Sequence, residues 1–189
     1  MSPDDTRAVR REMTDPPVLI VGAGPTGLVL ALWLTRLGVP VRIIDRTAEP
    51  GTTSRALAVQ ARTLELYHQL GVADAVIAGG VMVAKLNFWV KGTRAASVPL
   101  RRIGTGLSPY PFALVFAQDA HERLLIERLA ASGVKVERQT ELLGFTQHDG
   151  GVRASLRRPD GSGESCDVAY LAGCDGASST VRETLGIGF

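Results

Sequence analysis

Three glycines and one aspartate are the residues whose spacing most clearly indicates chemistry. Gly22, Gly24 and Gly27 form the pattern G-x-G-x-x-G, and Asp45 follows about 20 residues later. In this pattern the first glycine permits a tight turn, the second lets a pyrophosphate approach the backbone, and the third lets a helix pack closely on a strand. A carboxylate at the position of Asp45 accepts hydrogen bonds from ribose hydroxyls. The spacing therefore predicts a dinucleotide site, and a structural strand-turn-helix without a ligand is the alternative.

Predicted strands and a helix lie on either side of the glycines and would position these residues. The apolar, β-branched run at residues 18–21 predicts a buried parallel strand, and residues 28–38 predict a helix that ends at a glycine. A second strand at residues 41–44 leads directly into the aspartate. A pyrophosphate would lie at the helix N-terminus, where unpaired N–H groups and the helix dipole favour anions. Pro25 and Thr26, in the first turn, therefore belong to the same candidate site.

The composition is typical of a globular protein. It is 45% hydrophobic and 21% charged, with a net charge of +2, which gives no reason to expect a nucleic-acid partner. No apolar run approaches the roughly 20 residues of a membrane span. Cys166 and Cys174 match neither a disulfide framework nor a metal-ligand spacing. We therefore expect a cytoplasmic protein with no membrane partner and no metal site, in which residues 1–16 form a disordered tail.

Beyond the aspartate, the chain departs from a simple nucleotide-binding path. The patterns predict a polar loop at 46–55, a helix over 59–70, a β-hairpin with strands at 84–90 and 95–100, a helix from Gln118 with a capping-box-like start at Asp119 and Glu122, and a strand at 134–137. The next parallel strand thus comes only after a long insertion that contains helices and a hairpin. This order disfavours a simple NAD-dependent dehydrogenase.

The last third of the chain predicts strands joined by short turns. Residues 141–148, 152–157 and 166–172 read as three strands, separated by Asp-Gly-Gly and Pro-Asp-Gly turns. They indicate a β-meander in place of a crossover helix. The third strand leads into Asp175-Gly176 and then into a serine-rich helix start, in which Glu183 follows Thr180 at capping-box spacing.

The histidines of this sequence are not in a pattern that would activate a nucleophile. We predict His68, His121 and His148 on helix or strand surfaces, and no serine-histidine-acid arrangement is evident. No protein residue is therefore predicted to be catalytic in its own right.

Taken together, several motifs resemble the FAD-dependent aromatic hydroxylases, which are single-component flavoprotein monooxygenases of the p-hydroxybenzoate, phenol and polyketide hydroxylase kind. The resemblance runs from about residue 17 to 188. It rests on the glycine pattern, Asp45-Arg46, the segment from Ser54-Arg55 to Glu65, Gln118, and the run Cys174-Asp175-Gly176-x-x-Ser179-x-x-Arg182. It implies an α/β, Rossmann-like FAD/NAD(P)-binding fold with a parallel sheet, a β-meander crossover and an inserted β-hairpin.

The resemblance also implies roles for individual residues. The three glycines would cradle the FAD pyrophosphate, Asp45 would hold the adenosine ribose, and Arg46 would lie beside the adenine. Arg55 would reach the pyrophosphate and help NADH or NADPH to dock, as suits a planar, permanently charged side chain. Gln118 would lie near the ribityl chain and flavin. Asp175 and Gly176 would serve both nucleotides, with Arg182 supporting their loop, although Asp175 has a helix-capping or turn role as its alternative.

The chemistry that the family implies belongs to the flavin. NADH or NADPH reduces FAD, dioxygen adds to the reduced ring, and the flavin hydroperoxide transfers one oxygen to an aromatic or polyketide-like substrate. Family members carry a second Gly-Asp segment and a substrate domain further along the chain. We therefore interpret residues 17–189 as an incomplete FAD-binding domain, inactive by itself, with residues 81–112 as the start of the substrate-side sheet.

Two other classes of protein stay open at the level of sequence. One is a flavoenzyme of the same fold with other chemistry, such as a halogenase or a reductase. The other is a non-catalytic nucleotide-binding module that works with a partner chain. An exposed, unpaired sheet edge would also favour self-association.

Overall fold

The computed structural model describes residues 16–51 and 56–188. All but the last residue of the predicted N-terminal tail, and the candidate residue Arg55, lie outside these ranges. The strands are β1 Val18–Val21, β2 Val41–Asp45, β3 Ala56–Val59, β4 Val81–Val83, β5 Lys85–Val90, β6 Thr93–Pro99, β7 Ala113–Ala117, β8 Val136–Arg138, β9 Glu141–His148, β10 Gly151–Arg157, β11 Gly163–Val168 and β12 Tyr170–Gly173. The helices are α1 Pro25–Arg36, α2 Ala61–Gln69, α3 Ala73–Gly79, α4 Gln118–Ala131 and α5 Thr180–Thr184.

A parallel sheet in the order β12-β1-β2-β8 forms the centre of the fold. Its two middle strands bury apolar residues on both faces, as expected for a parallel sheet that is covered on both sides. Helices α1 and α4 cover one face, where Leu28 and Leu125 pack against Ile20 and Ile43. The other face packs on the strands β9, β10 and β11. The predicted α/β architecture with a parallel sheet is confirmed.

The β-meander is also confirmed, as the antiparallel sheet β11-β10-β9. The prediction of one strand over 166–172 is wrong, because this segment is divided between β11 and β12. Val168 ends the antiparallel pairing, and the N–H group of Ala169 instead donates to Pro17 O at 3.0 Å. Residues 168–172 form a continuous hydrophobic run through the break, so the pattern gave no sign that the chain changes sheet.

A smaller antiparallel sheet, β3-β7-β4, lies within the inserted segment and packs with α2 and α3. The predicted helix over 59–70 begins later than expected, at Ala61, because Val59 is the last residue of β3. The sequence analysis missed β3, β4, β7 and α3. These elements are short, and they are held by a shared core around Leu64, Val76 and Leu114 rather than by strong local patterns.

Strands β5 and β6 form the predicted hairpin as a separate two-stranded sheet. Its turn is tighter than predicted, because only Lys91 and Gly92 lie outside the strands. Both residues have positive φ, at 47° and 77°, as a two-residue hairpin turn of this kind requires. Trp89 and Val90 are 64% and 60% exposed. The hairpin therefore presents large apolar side chains that the described residues do not cover.

An ion-pair cluster joins the parallel sheet to the meander. Arg42 on β2 donates to Glu137 on β8 and to Glu164 on β11, with N–O distances of 2.7 and 2.6 Å. Hydrogen bonding to Arg42 holds the pKa of Glu164 below its ordinary value, and the two carboxylates raise the pKa of Arg42. The guanidinium is therefore permanently charged and bridges two sheets.

Candidate functional site

The glycine loop connects β1 to α1 and shows why two of its glycines are required by the chain itself. Gly22 has a φ of 103°, and a Cβ there would lie 2.4 Å from the carbonyl oxygen of Cys174. A Cβ on Gly27 would lie 2.0 Å from the carbonyl oxygen of Gly22. Neither position could accept a side chain without backbone movement.

Gly24 differs from its neighbours because nothing in the described chain requires it to be glycine. Its φ is −74°, which any residue can adopt, and a Cβ there would meet no atom within 4 Å. The residue lies at the beginning of α1, which has no side-chain cap and no acidic residue in its first turn. The first turn therefore presents unpaired N–H groups and a positive dipole end beside open space.

Asp45 lies at the end of β2, and its carboxylate faces the glycine loop. Its Oδ2 accepts a hydrogen bond from the N–H group of Ala23 at 2.7 Å, and its Oδ1 accepts one from the N–H group of Thr47 at 2.8 Å. A carboxylate has about four acceptor positions. The carboxylate is thus held in place by the backbone and can still accept hydrogen bonds from a ligand.

The Asp175-Gly176 segment follows β12 and touches the glycine loop, since the N–H group of Cys174 donates to Val21 O at 2.7 Å. Asp175 accepts hydrogen bonds from the Ser179 hydroxyl at 2.6 Å and from the Val181 N–H group at 3.3 Å. The aspartate therefore has the structural role that was its alternative, because it fastens the loop to α5. Its role towards a nucleotide stays a prediction.

The start of α5 differs from the predicted capping box. Ser179, not Thr180, is the N-cap residue, and its side chain accepts a hydrogen bond from the Arg182 N–H group at 3.0 Å. The Arg182 guanidinium donates to Gly176 O and Ala177 O at 3.3 and 2.6 Å. These two hydrogen bonds connect Arg182 to the loop, and its role in a nucleotide site stays a prediction.

These segments enclose a cleft of about 260 Å³ at the carboxyl ends of β1, β2 and β12. Open α/β sheets bind their ligands at this edge. The cleft brings together six of the predicted residues: Gly22, Gly24, Asp45, Arg46, Asp175 and Gly176. Six other residues that line it were not predicted as site residues: Val21, Thr47, Glu141, Leu142, Cys174 and Thr180. Burial raises the pKa of the Cys174 thiol, so this side chain stays protonated at neutral pH.

Glu141 and Leu142 could have been found by considering the order of the strands. They begin β9, and β9 starts just after β8, which is the parallel neighbour of β2. The chain therefore has to pass the same sheet edge at which Asp45 lies.

Gln118 lies in a second cleft, of about 540 Å³, on the other side of the α1 N-terminus. Pro25 and Thr26 line this cleft, whereas Gly24 lines the first, so the first turn of α1 lies between the two. The predicted capping box is wrong: α4 begins at Gln118 with no side-chain cap. Glu122 instead accepts hydrogen bonds from Gln118 Nε2 and from the Gly51 N–H group, at 2.9 and 3.1 Å.

His121, which also lines the second cleft, is 1% exposed, so its predicted surface position is wrong. Its Nε2 lies 2.9 Å from the Tyr67 hydroxyl. Burial lowers the pKa of His121 and raises the pKa of Tyr67 to about 12, so both groups are neutral at pH 7. A neutral, buried pair of this kind is part of the core between α2 and α4.

Within the described ranges, no three His, Cys, Asp or Glu side chains gather as metal ligands would. None of the described helices is both long enough and apolar enough to cross a membrane.

The fold and the cleft define a dinucleotide-binding domain of the Rossmann-like class. Residues 15–189 match the family model described as FAD binding domain, and the chain belongs to this family.

Named relatives have similar sequences and structures. The chain is 47% identical over 176 residues to 6-methylpretetramide 4-monooxygenase from Streptomyces rimosus. The match covers 93% of this chain and 31% of the relative. It is 36% identical over 179 residues to pentachlorophenol 4-monooxygenase from Sphingobium chlorophenolicum. This match covers 94% of this chain and 33% of the relative. The crystal structure of the flavin-dependent monooxygenase PieE in complex with FAD and substrate superposes with a TM-score of 0.84 at 31% identity, covering 92% of this chain and 32% of that one. The chain thus spans about a third of the length of these relatives.

The residues of the cleft fit FAD, the cofactor of this family. The open space above Gly24 and the uncapped first turn of α1 suit a pyrophosphate, and the fixed carboxylate of Asp45 suits a ribose diol.

Proposed function

We propose that this chain is the FAD-binding portion of a flavoprotein monooxygenase that uses NADH or NADPH and dioxygen to hydroxylate an aromatic or polyketide-like substrate. The observation that carries the proposal is the position of Gly24. This residue is glycine although the described residues leave room for a side chain, and it lies at an uncapped helix N-terminus in the same cleft as Asp45. A pyrophosphate against the backbone accounts for all three features. The names of the relatives support the class of reaction.

The first cleft would hold the adenosine and pyrophosphate half of FAD. The N–H groups at the beginning of α1 would donate to the pyrophosphate, and Asp45 would accept hydrogen bonds from the ribose hydroxyls. Arg46, which is exposed at the mouth of the cleft, would lie beside the adenine. The N–H groups are fixed by a helix start and the Asp45 carboxylate by a strand end, so these groups would need little ordering on binding.

The second cleft would hold the flavin half of the cofactor. The helix start between the two clefts places Pro25 and Thr26 on the path from the pyrophosphate to Gln118. Arg55 would reach the pyrophosphate and the docking NADH or NADPH. Asp175 and Gly176, supported by Arg182, would close the first cleft and serve both nucleotides.

Bound FAD supplies the redox chemistry, in which a hydride is accepted from NADH or NADPH and one atom of dioxygen is transferred to an electron-rich ring. The protein binds and orients the cofactor and limits the access of water. No side chain of this domain acts as a nucleophile. The free thiols of Cys166 and Cys174 support a reducing, cytoplasmic location.

The hairpin of β5 and β6 is proposed as the start of a substrate-side sheet over residues 81–112. The support is its exposure, because Phe88 and Trp89 are 48% and 64% exposed on a two-stranded sheet. A sheet of this size is only marginally stable without further strands or a covering layer. We also propose that the same surface allows self-association of the isolated chain.

A chimaera tests the proposed function. Residues 17–188 would replace the aligned segment of 6-methylpretetramide 4-monooxygenase, to which this chain is 47% identical. We expect the chimaera to bind FAD and to convert the relative's substrate, with NADH or NADPH consumed and one oxygen atom gained. The matched variant with Asp45→Ala should lose flavin. A folded chimaera that binds no flavin, or that oxidises NADH or NADPH without ever forming an oxygenated product, would contradict the proposal.

A further inference from the structure

Arg138 occupies a position that the candidate site does not explain. It is the last residue of β8, and its Cα is paired in register with Asp45, the last residue of β2. Its side chain is 19% exposed and does not line the cleft. The guanidinium of Arg138 thus lies next to the carboxylate that would bind the ribose, outside the lining of the cleft.

The contacts of Arg138 converge on this carboxylate. Its Nη1 lies 3.8 Å from Asp45 Oδ1 and donates to the Thr47 hydroxyl at 3.3 Å. The Thr47 hydroxyl in turn lies 2.7 Å from the same Oδ1. Arg138 therefore acts on one oxygen of Asp45 directly, by charge, and through Thr47.

The backbone joins the same two strand ends. The N–H group of Thr140 donates to Asp45 O at 3.0 Å, and the N–H group of Gln139 donates to Thr47 O at 3.2 Å. The chain around Asp45 is therefore fixed without Arg138. The arginine side chain adds a positive charge near Oδ1 to the hydrogen bonds that the carboxylate accepts from the N–H groups of Ala23 and Thr47.

This arginine is costly for the fold. Its Nη2 is buried and has no hydrogen-bond partner among the described residues. A buried, unsatisfied donor opposes folding, and the opposition is stronger for a charged group. Its direct approach to Asp45, at 3.8 Å, is longer than a good charge-assisted hydrogen bond. Stability is thus a poor explanation for an arginine at this position.

We propose that Arg138 is a positioning residue, which holds Oδ1 of Asp45 towards Thr47 and so presents the carboxylate to the ribose diol of the adenosine. This inference rests on the proposed function, because it assigns Arg138 to the recognition of the adenosine half of FAD. Arg138 itself does not touch the nucleotide. Without it, the carboxylate keeps its hydrogen bonds from the N–H groups of Ala23 and Thr47 but loses the charge that orients Oδ1. The hydrogen bond to the ribose 2′-hydroxyl then weakens more than the contacts with the pyrophosphate.

The test compares ADP with 2′-deoxy-ADP as competitors of FAD. First, an equilibrium titration establishes FAD binding by the wild-type chain. The wild type should then prefer ADP over 2′-deoxy-ADP by about tenfold or more, as expected for a hydrogen bond to a charged group. In Arg138→Met this preference should fall to about threefold or less, while the melting temperature changes by no more than about 3 °C. Arg138→Lys, which keeps the charge but not the planar fork, should recover part of the preference.

Arg153→Met is the matched control. Arg153 is 60% exposed and pairs with Asp167 at 2.9 Å on the meander, away from the cleft. This variant should keep the wild-type preference. An unchanged preference in Arg138→Met would overturn the inference, as would an equal loss of affinity for both nucleotides accompanied by a lower melting temperature. A wild type that binds FAD without preferring ADP would also overturn it. A wild type that binds no FAD would contradict the proposed function itself.

Discussion

At the scale of single residues, the three glycines of the loop differ in what they are needed for. Gly22 and Gly27 are required by the protein, because a Cβ on either would meet backbone at 2.4 and 2.0 Å. Gly24 is not, since a Cβ there would meet nothing within 4 Å. The sequence pattern treats the three alike, whereas the structure separates the residues that build the loop from the residue that leaves space for a ligand.

This difference predicts that an added methyl group weakens ligand binding at Gly24 but lowers stability at Gly27. Gly24→Ala should change the free energy of unfolding by less than about 1 kcal/mol, the scale of an N-cap effect, yet weaken FAD binding at least about tenfold. Gly27→Ala should instead destabilise the fold by about 1–3 kcal/mol or more through overpacking. Urea unfolding and FAD titration of the two variants measure both effects. A Gly24→Ala chain with the wild-type affinity for FAD would show that no ligand approaches this backbone.

The buried histidine predicts a pH dependence of stability. Burial holds the pKa of His121 below its unfolded value of about 6.5, so at lower pH the unfolded state binds a proton that the native state does not. Stability should therefore fall as the pH decreases below about 6.5, by up to about 1.4 kcal/mol per pH unit from this group. Urea titrations at several pH values should show the loss in the wild type and a smaller one in His121→Gln.

His68→Gln is the control for this prediction, because His68 is an exposed histidine on α2. It should retain the wild-type pH dependence. If His121→Gln also retained it in full, then the histidine would have to be charged, or solvated, in the native state.

At the scale of elements, local patterns predicted some parts of the fold well and missed others. The strand-turn-helix at Gly22 and the turn at Lys91-Gly92 were predictable because glycine and turn residues encode backbone conformation within a few positions. The division of residues 166–172 into two strands, and the burial of His121, depend on partners far away in the sequence. Arg138 was missed for the same reason, since its relation to Asp45 follows from strand order.

The ion-pair cluster of Arg42 predicts that loss of this side chain lowers the free energy of unfolding more than loss of an exposed arginine does. Arg42→Ala would leave Glu137 without this cation and Glu164 with Arg158 alone, at side chains that are 41% and 20% exposed. Because both pairs are partly exposed and Glu164 keeps one partner, the loss should be about 1–3 kcal/mol. Chemical unfolding should show this loss, whereas Arg153→Ala, at an exposed ion pair, should cost less than about 1 kcal/mol. Equal effects of the two substitutions would contradict a special role for the cluster.

The exposed hairpin predicts self-association through β5 and β6. Trp89→Thr combined with Val90→Thr keeps strand-forming residues but removes two large apolar side chains, so it should shift the chain towards monomer in sedimentation velocity. Leu37→Thr is the control, since Leu37 is 69% exposed but isolated at the end of α1. If the control shifted the equilibrium as much as the hairpin variant, the association surface would lie elsewhere.

At the scale of the whole molecule, the described residues form two clefts on either side of the α1 N-terminus. The chain spans about a third of the length of its named relatives, and we propose that its two clefts hold the adenosine and flavin halves of FAD. Most of the contacts proposed here are with the adenosine and pyrophosphate half of FAD. Affinity for the cofactor should therefore depend on that half.

An equilibrium titration of the chain with FAD, compared with FMN, tests this account most directly. FMN has the flavin ring, the ribityl chain and one phosphate but no adenosine, so the account predicts that FAD binds at least about a hundredfold more tightly, as two or more contacts of about 1.5 kcal/mol would give. Asp45→Ala should reduce this difference and leave binding of FMN unchanged. Equal affinities for FAD and FMN, or no binding of FAD by the folded chain, would contradict the assignment of the glycine-loop cleft.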